Sequence, residues 1–354
     1  PGFSNLVIIF FVIFLGGWGI DYLALGTLCG MAGILLIQLP SLARSGFKYY
    51  WDWNIRHVEV RGIFYNLLPI FLGTAVNQIY LAINRYFASG LGEGSISALN
   101  YAGKLMNLPL GVFVLAVSSA IFPTLAEYAV KEDRIALGGT LNRGLKIVLL
   151  ITLPAAAGLM ALSTPIVRLL FERGAFDHLA TVMTSGALVW FTAGMFAMAV
   201  NMVLTRAYYA VSDVRTPLYV GGLSIVVNII ASRMLTGPMG HNGLALANTL
   251  AAVFSAVVLY ALLKRHLPKL YFADLMISAG KALTASVLTA FTALAVFSFL
   301  AGLLTGPGSL SLLVQVMGAI AAGAVVYGVS ILVLREKEVF TLLDRLKDRL
   351  RRYS

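Results

Sequence analysis

Residues 242–263 read NGLALANTLAAVFSAVVLYALL, and residues 264–274 that follow read KRHLPKLYFAD. The first stretch carries no charge. It is long enough to cross the roughly 30 Å hydrocarbon layer of a bilayer as a helix, which takes about 20 apolar residues. The second brings Lys264, Arg265 and Lys269 together. Working outward, the same alternation recurs along the chain. About ten apolar stretches occupy 3–18, 22–40, 62–89, 97–126, 141–170, 181–211, 216–236, 242–263, 274–303 and 309–334. Of the 26 Lys and Arg, 21 fall in every second connection or in the C-terminal tail. They are Arg44, Lys48, Arg56 and Arg61; Lys131, Arg134, Arg143 and Lys146; Arg206 and Arg215; Lys264, Arg265, Lys269 and Lys281; and seven from Arg335 to Arg352. The intervening connections hold only Arg168, Arg173 and Arg233. This bias predicts an all-α polytopic membrane protein with basic connections and C-terminus in the cytoplasm. The stretches are too long, and lack the alternation, for the strands of a closed β-barrel.

Composition agrees. Hydrophobic residues make up 59% and charged residues 12%, against about a quarter charged in soluble proteins. The net charge of +11 gathers at one membrane face, where anionic lipid accounts for it. No basic and aromatic soluble module is present to suggest nucleic acid. The single Cys29 lies inside a span and reads as a small packing residue. The chain enters a span almost directly from Pro1, without the charged n-region or small-residue cleavage site of a signal peptide. The expectation is a piece of a longer chain. If the intact N-terminus is also cytoplasmic, the missing part contributes an even number of spans.

The connection 41–61 (SLARSGFKYYWDWNIRHVEVR) carries Tyr49, Tyr50, Trp51 and Trp53 as interfacial anchors. It marks a boundary between two helical lobes, and 264–274 marks a second change. In the tail, Val339, Leu342, Leu343, Leu346 and Leu350 recur at helical spacing among Arg345, Lys347, Arg349, Arg351 and Arg352. That pattern predicts an amphipathic helix on the inner leaflet, in contact with membrane lipids. Pro69, Pro109 and Pro154 fall within spans and are candidate hinges, since proline removes a backbone donor and loosens a helix. Membrane helices also tolerate proline without such a role.

The 15 Asp and Glu lie in connections, in the tail or at span ends. None reaches mid-membrane depth, so a relay of buried carboxylates has no material here. His57, His178, His241 and His266 show no metal-ligand spacing. No nucleophile and base pair stands out, so the sequence predicts neither an enzyme nor a cofactor or metal site. Arg85 and Lys104 are the exceptions to the charge pattern, four to seven residues inside the outer ends of consecutive spans. They either snorkel to the outer headgroups or face a water-filled cavity and an anionic substrate. Arg offers phosphate a two-point match and Lys a point charge. Gln78, Asn84, Asn100 and Asn107 flank them, as cavity lining or as hydrogen-bonding glue between helices. Two cations without a buried anion imply an anionic cargo.

The stretches 78–89 (QIYLAINRYFAS), 100–113 (NYAGKLMNLPLGVF), 121–126 (IFPTLA), 207–217 (AYYAVSDVRTP) and 237–247 (GPMGHNGLALA) closely resemble the MurJ/MviN lipid II flippases of the multidrug/oligosaccharidyl-lipid/polysaccharide exporter superfamily. That resemblance covers essentially the whole chain and implies helices five to fourteen of a fourteen-helix, two-lobe flippase. Residues 1–60 are then the end of the N-terminal lobe with a cytoplasmic linker, 61–266 the C-terminal six-helix lobe, and 267–354 an extra helix pair with the basic tail. In this family the extra pair forms a groove for the lipid tail. The resemblance implies a monomer in the bacterial cytoplasmic membrane. It would carry lipid II, or a related polyprenyl-diphosphate lipid, from the inner to the outer leaflet by alternating access. Export of another polyprenyl-linked oligosaccharide, or a truncated remnant that does not transport, are the alternatives. Lys104 stands where the family usually carries Arg, which keeps the charge and loses the fork. Some members bind sodium partly through carboxylates, and the matching positions here are Asn84, Asn228, Ser232 and Asn248. None is acidic, which argues against sodium coupling.

Overall fold

The computed structural model describes residues 2–46, 78–265, 267, 270–304, 308–336 and 338–340. The described residues contain helices and turns but no strand. Several sequence expectations lie outside them: Pro69, most of the span 62–89, the aromatic anchors Tyr49 to Trp53, and the tail beyond 340. The chain divides into two units, Pro1–Asn66 and Leu67–Ser354, and each is taken by itself.

In the first unit α1 (Gly2–Leu15) and α2 (Ile20–Arg44) form a hairpin. Gly26, Gly30 and Gly33 are the buried residues of α2. A Cβ at Gly26 would stand 2.6 Å from the Phe11 side chain, and one at Gly30 would meet the Ser4 carbonyl at 3.1 Å. Small residues on one face let two apolar helices approach closely where lipid offers no hydrophobic drive.

The second unit begins with helical residues 78–89 (α3). It continues through α4 (Ser95–Pro109), α5 (Leu115–Val130), α6 (Arg134–Ala161), α7 (Ser163–Phe171), α8 (His178–Ala193), α9 (Met195–Ala210), α10 (Arg215–Met239), α11 (His241–Lys264), α12 (Phe272–Leu303) and α13 (Ser309–Val333). Of these, α6, α10, α11, α12 and α13 are each long and apolar enough to span a membrane. The α4 and α5 helices are one span, joined by a π-helical turn at Leu110–Val114 that follows directly on Pro109. The predicted span 141–170 is two helices, because α6 starts at Arg134 and stops at Ala161, and α7 starts after Leu162. The predicted span 181–211 is α8 and α9, bent by 47°. Gly194 sits at the bend, and a Cβ there would come within 2.5 Å of Thr249 Oγ1 on α11. The Gly194 N–H turns to Phe191 O, and the Thr249 hydroxyl donates to Trp190 O at 2.6 Å. A carbonyl left over at the bend is thus satisfied from a neighbouring helix, as hydrocarbon surroundings require.

At the basic ends of the helices one turn is built twice. Asp133 N–H donates to Tyr128 O at 3.0 Å, and Asp213 N–H donates to Tyr208 O at 2.9 Å. Glu132 and Ser212 both take left-handed backbone, φ 54° and φ 61°, as a helix C-terminus of this type demands. Asp133 then caps α6 by accepting from the Ala136 N–H, and Asp213 caps α10 by accepting from the Thr216 N–H and hydroxyl. Such caps satisfy the first free N–H groups of each helix.

The core centres on α6, which packs against α5, α8, α9 and α12. Leu141, Leu145 and Val148 of α6 are fully buried with Leu188, Val203 and Leu204. Arg143 and Lys146, counted from the sequence among the charges of a connection, lie inside α6. Lys146 is 5% exposed and its Nζ is 2.5 Å from Asp274 Oδ2 at the start of α12. Arg143 pairs with Glu338 at 3.1 Å. Lys281 of α12 pairs with the buried Glu336 at 3.3 Å, and the Ser278 hydroxyl donates to the same carboxylate at 2.6 Å. The burial explains the pairing, since a desolvated ammonium or carboxylate without a partner is far too costly. The seam between α12 and α13 uses small residues, among them Ala285, Thr289 and Ala293 of α12 and Ala319 and Gly323 of α13.

Candidate functional site

The short link 90–94 joins α3 to α4. On α3, Tyr80, Asn84, Arg85 and Ala88 recur at helical spacing, and on α4 so do Asn100, Gly103, Lys104 and Asn107. All eight line one cavity of about 500 Å³. Phe191, Met198 and Asn248 contribute to the wall from α8, α9 and α11. Periodicity is what gathers them: positions three, four and seven apart share a helix face.

Among the described residues the wall contains no Asp or Glu. Arg85 and Lys104 are exposed to the cavity side of their helices. Among the described residues, neither has a carboxylate within ion-pairing reach. Lys104 Nζ lies 5.4 Å from the centroid of the Tyr101 ring, an attraction between cation and ring face worth about 0.5–1 kcal/mol at an exposed site. Tyr101 is itself held in a cluster with Phe171 and Phe176, at centroid distances of 4.7 and 5.3 Å. The amides divide into two kinds. Asn84 donates to Tyr80 O at 2.9 Å and accepts from Asn248 Nδ2 at 3.3 Å, so it ties α3 to α11. Asn100 and Asn107 are exposed to the cavity. Gln78 shares the α3 face of Arg85 two turns along, but it is exposed and outside this wall.

Pro109 and Pro154 line a different cavity, of about 420 Å³ and almost wholly apolar, between α4, α6, α12 and α13. The positions matched to a sodium site do not make one here. Asn228 and Ser232 are fully buried, and their side-chain polar atoms have no hydrogen-bond partner among the described residues. The Asn84 oxygen is engaged by Asn248, and the set carries no negative charge. It does not fit a cation site that relies on carboxylates.

Several features escaped the sequence reading. Tyr80 was signalled only by standing one turn before Asn84, and Phe191 and Met198 looked like any apolar residues of their helices. The pairing of Lys146 with Asp274 joins residues 128 apart, for which no local pattern exists.

Comparison with known proteins follows the same lines. The family model described as "Lipid II flippase MurJ" matches residues 1–317. A probable lipid II flippase MurJ of Vibrio cholerae serotype O1 is 32% identical over 238 residues, covering 67% of this chain and 45% of that protein. One of Treponema pallidum is 31% identical over 281 residues, covering 77% of this chain and 53% of that protein. The chain spans about half the length of the curated relatives it matches. Among solved structures, a lipid II flippase MurJ in an inward closed conformation superposes with a TM-score of 0.75 at 25% identity, over 95% of this chain and 67% of that one. The Vibrio cholerae MATE transporter VcmN in its bent form is similar in fold alone, with a TM-score of 0.52 at 15% identity, over 81% of this chain and 61% of that one.

Proposed function

The chain belongs to the lipid II flippase MurJ family, and from that premise we propose that the protein carrying it moves lipid II from the inner to the outer leaflet of the bacterial cytoplasmic membrane. The observation that carries this reading is the cavity wall, which holds Arg85 and Lys104 and, among the described residues, no carboxylate beside them. A diphosphate headgroup is an anion whose oxygens suit a guanidinium fork and an ammonium point charge. A cavity with fixed cations favours that headgroup over an organic cation, which needs buried acid. In this reading Asn100 and Asn107 offer hydrogen bonds to the sugar and peptide portion. The protein performs no bond-making step. The lobes rock about the headgroup site while the polyprenyl tail stays in lipid. The basic turns and the C-terminus lie in the cytoplasm, and the protein acts as a monomer.

The test is rescue. Cells depleted of their own lipid II flippase receive the product of the complete reading frame, and survival is followed together with outer-leaflet lipid II. Rescue that disappears with Lys104→Ala, at equal membrane abundance, is the expected result. Failure of the well-expressed unaltered protein redirects the assignment to export of another polyprenyl-linked oligosaccharide.

A further inference from the structure

Pro154 lies inside α6, and a proline has no N–H to offer the carbonyl four residues back. That carbonyl belongs to Leu150, and the Tyr327 hydroxyl of α13 donates to it at 2.5 Å. We infer that Tyr327 is a positioning residue: its hydroxyl sets the geometry of α6 at Pro154, so that the pair α12 and α13 acts as the latch of a hinge in the core helix.

Three observations carry the inference. The Gly194 break is closed in the same manner by Thr249 and goes with a 47° bend, so a break with a borrowed hydroxyl is already a place where this chain turns. There is also room to move. The cavity of about 420 Å³ at Pro109, Pro154 and Gly158 lies on one side of α6. Another of about 480 Å³, at Leu153, Ala157 and Met160, lies on a neighbouring side. Close-packed walls would hold a helix still. Finally, the part of α6 before the break is tied down. Lys146 holds Asp274 of α12, and Arg143 holds Glu338 after α13. Displacement therefore falls to the part of α6 beyond Pro154. With the Tyr327 hydroxyl in place, the Leu150 carbonyl is satisfied in the present geometry. Once it leaves, that carbonyl needs another donor, and α6 settles into a different bend. The inference concerns helix geometry and stands whatever the cargo is.

The experiment uses the full chain in lipid nanodiscs, with the native Cys29 replaced by Ser. Spin labels are attached to cysteines at Ile135, at the start of α6, and Thr164, just beyond its end, so that the pair spans the break at Pro154; both native side chains are exposed. Tyr327→Phe removes the hydroxyl and keeps the ring. It is expected to widen or split the distance distribution between the labels. Pro154→Ala restores an N–H for Leu150 within α6, so adding Tyr327→Phe to it is expected to change nothing further. A Tyr327→Phe distribution identical to that of the unaltered protein overturns the latch, even if its melting temperature falls. An effect of Tyr327→Phe equally large beside Pro154→Ala overturns it too, because the freed carbonyl is then not the link. If Tyr327→Phe alone fails to insert, recovery in the double variant supports the coupling and continued failure rejects it.

Discussion

Arg85 and Lys104 stand in a wall that offers amides and, among the described residues, no counter-charge, with the Tyr101 ring beside Lys104. A charged hydrogen bond contributes about 1.5–3 kcal/mol, and 1.4 kcal/mol is roughly a tenfold change in rate. Arg85→Ala and Lys104→Ala are therefore each expected to lower transport about 10–100-fold at unchanged membrane abundance. Lys104→Arg is expected to keep the rate. Transport of lipid II into proteoliposomes checks this, and two unimpaired alanine variants return both cations to snorkelling. Asp213 makes a different kind of prediction. Burial in its turn works against the carboxylate, but the Thr216 hydroxyl, the backbone N–H groups of Thr216 and Arg215 and the Arg215 charge hold its pKa below the ordinary value. Its capping contribution is thus complete above the ordinary Asp pKa of about 3.9 and lost as pH falls through the lower folded pKa. Asp213→Ala is expected to cost about 1 kcal/mol at neutral pH. Melting in detergent should show the gap to the unaltered protein closing only below the ordinary Asp range.

The helices themselves were legible because a span is a long local signal: 242–263 carries its own length, its lack of charge and its basic border. What a sequence does not display is an exchange between helices. The α6 start was placed too late because residues 134–140 are not continuously apolar, whereas Asp133 caps the helix at 134; and only α12 and the segment after α13 supply the carboxylates that pair with Arg143 and Lys146 inside it. The Gly194 bend was equally silent, since its cause is Thr249 on another helix. The cavity residues were easier, because Asn84, Arg85, Asn100, Lys104 and Asn107 are polar residues at helical spacing in two adjacent apolar stretches. Two predictions belong at this scale. Lys146→Met removes the ammonium 2.5 Å from Asp274, which keeps its other interactions, the Asn142 amide at 3.4 Å among them. Breaking a fully buried pair costs about 3–5 kcal/mol, and the half-exposed Asp274 puts this case below that range. Adding Asp274→Asn should recover part of the loss in thermal melting. Gly194→Ala forces a Cβ against Thr249, an overpacking that costs about 1–3 kcal/mol, and should lower the melting temperature while Gly139→Ala, where a Cβ meets nothing, does not.

Across the whole molecule, the orientation proposed from the charge pattern can be tested directly. Single cysteines placed at Ser212 and His178, both exposed and at opposite ends of the second unit, should react differently with a membrane-impermeant thiol reagent in spheroplasts. The cysteine at 178 is expected to label and that at 212 to stay protected, and the reverse would invert the topology. The bond between Tyr327 and Leu150 joins positions 177 residues apart, and that separation has a consequence for biosynthesis. The acceptor leaves the ribosome long before its donor is translated. During that interval α6 lacks the Tyr327 donor, and an unsatisfied carbonyl in the bilayer costs several kcal/mol. Early α6 must keep that carbonyl near water or borrow another donor until α13, translated later, brings the Tyr327 hydroxyl to it.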